Sequence, residues 1–388
     1  MAPSIYRHSP ARLWVERNRW IVRSAVALVV ASVGVGVALS VTAGSSRPHH
    51  AAGPGAGVPG SGPFAVSSTT PTNGAHVASD VAVSIVTTRA VDTAGPLPTF
   101  SPALTGTWAR HGASISFTAA GPFLPGTTET LTVPGGPGGL RSTAGQTLPQ
   151  TTTLSFTVDS STLRLQQLLA LLGYLPVSFA PSGPAPAARE LAAPQPGAFT
   201  WRYSDPMSGL EDHWGAGDFG VLTQGAIMTF QDQHHLTVDG VPGPRLWTAL
   251  LQAESAGQHD PDPYDYVYVD KDLPEHLTMW VDGVEKFASV AVNTGLHGAD
   301  TPDGTYPVFE HVTASEMKGT NPDGTTYDDP NVPWASYFYQ GDALHGFVRP
   351  TYGSPQSNGC VEMSISDAGT LWPYTPIGTL VTVNGPSS

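Results

Sequence analysis

The chain has 388 residues with 17 basic and 31 acidic side chains, a formal net charge of −14. That length predicts several domains, and with charged residues at only 12% against 43 Gly and 37 Pro it excludes one large helical body. The acidic balance, with no basic tract beyond the first few dozen residues, excludes a nucleic-acid partner, and the single cysteine, Cys360, excludes intramolecular disulfides and multi-cysteine metal sites.

Residues 24–43 (SAVALVVASVGVGVALSVTA) carry no charge, and a helix of that length spans a hydrocarbon core of ~30 Å. Arg7, Arg12, Arg17, Arg19 and Arg23 precede it against one Glu16, which orients residues 1–23 to the cytoplasm and the rest outside. The expectation is an uncleaved transmembrane signal-anchor in the cell membrane, the alternative being a signal peptide cut near Ala43 and a secreted chain. Residues 44–63 are rich in Gly, Pro and Ser and read as a tether.

Over residues 64–159 the apolar residues alternate: Val81, Val83 and Ile85; Ile115 and Phe117; Leu131 and Val133; Leu154, Phe156 and Val158. Short strands separated by Pro/Gly turns predict a β-sandwich, with Trp108 as a large core anchor. LPGTTETLTV with the closing SFTV resembles a bacterial immunoglobulin-like domain, which implies a spacer.

From Ser160 to Glu254 the period changes to that of helices. Leu165, Leu168, Leu169 and Leu172 share one face that stops at Gly173, and Leu222, Ala226, Ile227 and Phe230 form a second. Leu246, Trp247, Leu250 and Leu251 form a third, after the turn Asp239-Gly240-Val241-Pro242-Gly243. LRLQQLLALLGYLP and LTQGAIMTFQDQHHLTVDGVPGPRLWTALL together resemble a three-helix peptidoglycan-binding domain, interrupted by an insertion over 177–220. Trp201, Tyr203 and Trp214 of that insertion either shape a groove or cap the bundle. The matched residues are of core and turn type, and the adjacent His234 and His235 do not make a metal site.

Residues 263–384 return to strands, with Tyr264, Tyr266 and Tyr268 alternating, then 277–281, 288–292 and 379–383. Here lies Cys360, preceded by Gly359, which lets the backbone approach a substrate and aim amides at an oxyanion. Fifteen residues earlier His345 is followed by Gly346, whose carbonyl can orient the ring while the imidazole draws the proton from the thiol. The combination predicts acyl transfer through a thioester.

The run HGFVRPTYGSPQSNGC, His345 to Cys360, resembles the signature of the L,D-transpeptidases with a YkuD-like catalytic domain. VNTGLHGADTPDGTYPVF resembles that family's TP-x-G-x-(Y/F) turn, MKGTNPDGTTYDDPNVPWASYFY its mobile lid, and SDAGTLWPYTPIGTLVTV its closing segment. The resemblance implies a mainly β, multi-domain cell-wall enzyme that makes 3→3 cross-links between peptidoglycan stem peptides and releases D-Ala. By the same resemblance Cys360 is the nucleophile, His345 the general base and acid and Gly346 the orienting carbonyl. Asn358, Gly359 and Cys360 supply oxyanion amides, and Met317, Tyr327, Trp334, Tyr337, Ser357 and Glu362 line the substrate site. It implies no cofactor or metal, and acylation by carbapenems. Two positions depart from the pattern: Asn358 replaces a histidine and Glu362 an Arg or Asn. Glu362 is expected to disfavour the thiolate, so that its replacement by Asn or Arg speeds acylation. The alternatives are an L,D-carboxypeptidase using water and a non-catalytic wall-binding protein.

Overall fold

In the N-terminal sandwich, the alternating residues turn one side chain in two toward a shared core. The computed structural model describes residues 62–205 and 207–385, so the segment at 24–43 lies outside the described residues. Among the described residues no helix is long and apolar enough to cross a membrane. The strands are β1 (Val66–Thr70), β2 (His76–Val77), β3 (Val83–Thr87), β4 (Thr99–Ser101), β5 (Gly106–His111), β6 (Ser114–Ala119), β7 (Thr128–Val133) and β8 (Thr152–Val158). They form two four-stranded sheets, β1-β3-β6-β5 and β2-β8-β7-β4. Val83, Ile85, Ile115, Phe117, Leu131, Val133, Leu154, Phe156 and Val158 are all buried between them. Trp108 is only partly buried, stacked on Phe100 and tilted against Phe117 at the margin of the core, and Phe64, Phe123 and Phe156 take the central place expected for it.

The helical part comprises α1 (Thr162–Leu171), α2 (Val221–Gln233) and α3 (Pro244–Ser255). Ser161 caps α1 by accepting from the Arg164 amide at 3.3 Å, and Gly173 at φ +90° ends it while the Tyr174 amide donates back to Leu169. Gln231 closes the turn between α2 and α3. Its Oε1 accepts from the amides of Asp239 and Gly240, and its Nε2 donates to Asp239 Oδ1 at 2.8 Å. The insertion forms a hairpin of β9 (Val177–Pro181) and β10 (Gly197–Trp201). Trp201, Tyr203 and Trp214 pack partly buried against the helical core, so this segment caps the bundle.

The C-terminal part contains β11 (Asp265–Asp270), β12 (His276–Val281), β13 (Val284–Ala291), β14 (Gly304–Pro307), β15 (Glu310–Thr320), β16 (Thr326–Tyr339), β17 (Asp342–Gly346), β18 (Val361–Met363), α4 (Ile365–Leu371) and β19 (Leu380–Asn384). A five-stranded sheet runs β13-β12-β11-β19-β14, and a second runs β15-β16-β17-β18. Val267, Val269, Leu277, Met279, Val381 and Val383 face the second sheet. Tyr266, Trp280 and Leu380 pack instead with the helices. The central strands are therefore buried on both faces, which is why β11 reads as almost continuously apolar. Helix α2 seats tightly on this body. A Cβ at Gly225 would meet the Gly378 carbonyl at 2.7 Å, and Thr229 Oγ1 donates to the Ile377 carbonyl at 3.2 Å.

Candidate active site

Strand β17 carries His345, and β18, parallel to it, opens immediately after Cys360 with His345 in register with Glu362. The fourteen-residue loop that separates the two strands must be held rigidly if the sulfur is to have a fixed place. Asn293, fully buried, does much of this: its Oδ1 accepts from the Gly353 amide at 3.0 Å and from Gln356 Nε2 at 3.2 Å. Its Nδ2 donates to the Thr351 carbonyl at 3.3 Å. Thr301, the threonine of the TPDGTY turn, donates its hydroxyl to the Gly359 carbonyl at 2.8 Å. Ser357 is buried and donates to the Cys360 carbonyl at 2.5 Å. Replacing Asn293 by Ala leaves several buried donors unanswered. It is expected to cost about 1–3 kcal/mol and to slow acylation of Cys360, read by thermal denaturation and by mass-resolved adduct formation.

His345 is buried, with Nδ1 3.2 Å from the Gly346 carbonyl. Because a carbonyl only accepts, Nδ1 carries the proton and Nε2 keeps its lone pair. Burial lowers the His345 pKa below the ordinary histidine value, opposed in part by the bond to Gly346. Burial pushes the Cys360 thiol up to about 12, with the Asp342 carboxylate adding to the rise and the Ala343 backbone amide opposing it. The resting pair is therefore a neutral thiol and a neutral imidazole. The thiol points at the Gly341 carbonyl, 3.8 Å away, and not at the imidazole.

The remaining residues divide into two groups. Tyr327 and Tyr337 lie close enough to Cys360 for its charge to raise both phenols, after burial, and Tyr337 is fixed by a 2.6 Å bond to Ser315. Met317 stands half-buried on β15 opposite Asp329 of β16, so the segment read as a lid is a long β-hairpin. Asn358 donates to Asn321 Oδ1 at 2.7 Å, tying the loop before the cysteine to the hairpin's tip. The Gly359 amide donates to Ser357 Oγ at 3.2 Å and is engaged there instead of open toward an oxyanion. Trp334 lies apart from the sulfur, in an apolar recess with Trp372, Ala368 and one side of His345.

Residues 265–383 match the L,D-transpeptidase catalytic domain, YkuD. The chain carries an L,D-transpeptidase catalytic domain. Residues 202–250 match a peptidoglycan binding domain, which leaves α1 outside the matched segment, and residues 61–158 match a bacterial Ig-like domain. The solved L,D-transpeptidase 3 from Mycobacterium tuberculosis is 14% identical, covering 83% of this chain and 99% of that one, with a TM-score of 0.29. An L,D-transpeptidase from Mycobacterium smegmatis is 13% identical, covering 84% and 100%, with a TM-score of 0.28. The catalytic domain of the E. faecium L,D-transpeptidase is 28% identical, covering 32% and 99%, with a TM-score of 0.28. No curated protein matches the chain.

Arg349 and Asp342, like Asn293, escaped the sequence reading of this L,D-transpeptidase domain. Arg349 makes a two-pronged bond to Glu362, Nε to Oε2 at 2.7 Å and a second nitrogen to Oε1 at 2.8 Å. Its guanidinium also lies over the Phe347 ring. The Glu362 charge is thus answered within the protein and is a minor influence on the thiol. Glu362 raises the thiol in the direction expected, but by less than Asp342, whose carboxylate a Cβ at Gly359 would strike.

Proposed function

We propose that this chain is a peptidoglycan L,D-transpeptidase in which Cys360 attacks the carbonyl before the terminal D-Ala of a tetrapeptide stem. The C–N bond breaks, D-Ala leaves with the thiol proton relayed by His345, and the acyl group stays on sulfur as a thioester. A side-chain amine of a second stem then displaces the sulfur, giving a 3→3 cross-link. The observation that carries this reading is the Nδ1–H of His345 held by Gly346, which reserves Nε2 for the proton, on a strand beside the one that Cys360 opens. Proton transfer requires the thiol to swing from the Gly341 carbonyl toward the ring, and hydrogen bonds of this kind commonly tighten only when substrate binds.

Cys360, His345 and Gly346 keep the roles given above, and Tyr327, Tyr337, Met317 and Ser357 are assigned to the stem-binding wall. Asn358 and Glu362 are assigned to holding the loop. The helical part is proposed to hold the glycan or stem while the Ig-like part sets the distance from the membrane, with residues 24–43 as the anchor. Incubation of the purified extracytoplasmic part with tetrapeptide muropeptides, read by mass spectrometry, is expected to give D-Ala and a dimer of the mass of two stems less one D-Ala. Stems trimmed to tripeptide with no dimer would mean that water is the acceptor, and no D-Ala release would end the enzyme reading.

A further inference from the structure

Asp342 opens β17 three residues before His345, immediately after Gly341, whose carbonyl the thiol faces. Its carboxylate lies against Gly359, the residue that precedes the nucleophile. Among the described residues it has no hydrogen-bond or ion-pair partner. Of the other acids of this region, Glu362 is bonded to Arg349, Asp303 to Lys271, Asp328 to Lys318 and Asp323 to Thr325, while Asp329 acts at a distance on His345, Arg349 and Tyr327, and Glu310 on Tyr337. The groups that face Asp342 are Tyr306 on β14, Tyr327 on β16 and Cys360, each of which feels its charge. No cation is among them. A half-buried carboxylate beside a nucleophilic thiol opposes formation of the thiolate, so its presence works against the first half of the reaction.

The second half gives it a use. A primary amine reaches the site as an ammonium and cannot attack until it loses one proton, and His345, freed when D-Ala carries off the thiol proton, is needed for the second proton, which the amine loses on attack. We propose that Asp342 is the acceptor-side base, binding the primary ammonium of the incoming stem between Tyr306 and Tyr327 and taking one proton from it. This assignment rests on the thioester reading given above and names the acceptor class, a cationic primary amine, that the site selects over water. The step balances as follows: the ammonium gives one proton to the Asp342 carboxylate, and the neutral amine attacks the thioester carbonyl. The new N–C bond forms as the C–S bond breaks, and the second amine proton passes to His345 and on to the departing sulfur. Asp342 then returns its proton to solvent. Burial raises the Asp342 carboxyl to about 7, which makes it a far better base toward an ammonium than an ordinary carboxylate while leaving much of it ionised at neutral pH.

The test is Asp342→Asn in the otherwise intact extracytoplasmic chain, with Asp342→Ala as a second variant. Acyl-enzyme is formed from the tetrapeptide donor and divided between a stem-peptide amine and water. In parallel it is offered hydroxylamine, which is already neutral at neutral pH and needs no base. Asp342→Asn is expected to acylate as fast as wild type or faster, while the amide-to-acid product ratio for the stem amine falls on the order of 100-fold and that for hydroxylamine is unchanged. Thermal stability at alkaline pH is expected to rise. The free carboxyl ionises near 3.8 and the folded one near 7, so stability is lost as pH rises between these values, and asparagine removes that loss. Unchanged partitioning toward the stem amine, or an equal fall for both acceptors, would overturn the assignment. Absence of an acyl-enzyme in wild type would instead overturn the thioester reading, and this assignment with it.

Discussion

Replacing His345 by Ala is expected to slow carbapenem acylation of Cys360 by about 10²–10⁴-fold at neutral pH, and to change the shape of its pH dependence. The folded imidazole has its pKa lowered and the thiol is raised to about 12. Between these two values the neutral pair is the main species, and it is also the species that reacts by passing the thiol proton to the ring. The wild-type rate is therefore flat from neutral pH upward and falls only in acid, where the imidazole is already protonated. Without the imidazole only the spontaneously ionised thiolate reacts, and its share climbs about tenfold per pH unit. Intact-protein mass spectrometry at a series of pH values separates the two profiles, and because Cys360 is the only cysteine, the adduct adds once. Cys360→Ala is expected to give no adduct at all. A wild-type rate that itself climbs tenfold per unit through neutrality would show that His345 takes no part in activating the sulfur.

The fold was legible where one face of an element is buried and the other wet. In the Ig-like part Val83 and Ile85 turn inward while Ser84 and Val86 do not, and a period of two survives in the sequence. In α1 the stripe Leu165, Leu168, Leu169 and Leu172 does the same with a period of 3.6. Strand β13 was read too short because its early residues, Val284, Glu285 and Lys286, are all exposed and leave no alternation to detect. The shared core of helices and five-stranded sheet was also hidden: Tyr266 and Val267 are both buried, but against different partners, and the sequence gives no sign of which.

At the site, chemistry selected Cys360 and His345, since a lone thiol between glycine-rich neighbours has few other uses. Asn293 escaped because a buried asparagine that bonds to backbone 60 residues on carries no local pattern. Asp342 escaped as one acidic residue among 31, set beside Gly359 only by the folding of β17 against the loop. Such residues owe their importance to loop closure, which periodicity does not record.

The Arg349–Glu362 pair gives Glu362 a structural part beside its small effect on the thiol. Glu362 is 5% exposed, whereas the Arg349 side chain is 29% exposed, stacked on Phe347 and bonded also to the Gln356 carbonyl at 3.3 Å. Removing the arginine strands a carboxylate in the interior. Arg349→Ala is expected to cost about 3–5 kcal/mol, the usual penalty for leaving one buried partner of an ion pair uncompensated. The loop that places Cys360 loosens with it, so acylation slows. Glu362→Arg sets two cations against each other in the same place and is expected to behave as badly, with slower acylation. The double replacement of Arg349 and Glu362 by Met removes both charges together and is expected to recover most of the stability, because neither charge is then left to bear its desolvation alone. Urea unfolding of the two single variants and the double variant closes the cycle. A strong coupling between the positions supports a structural clamp, whereas additive losses, or faster acylation in Glu362→Arg, would return Glu362 to the role of a charge acting on the sulfur.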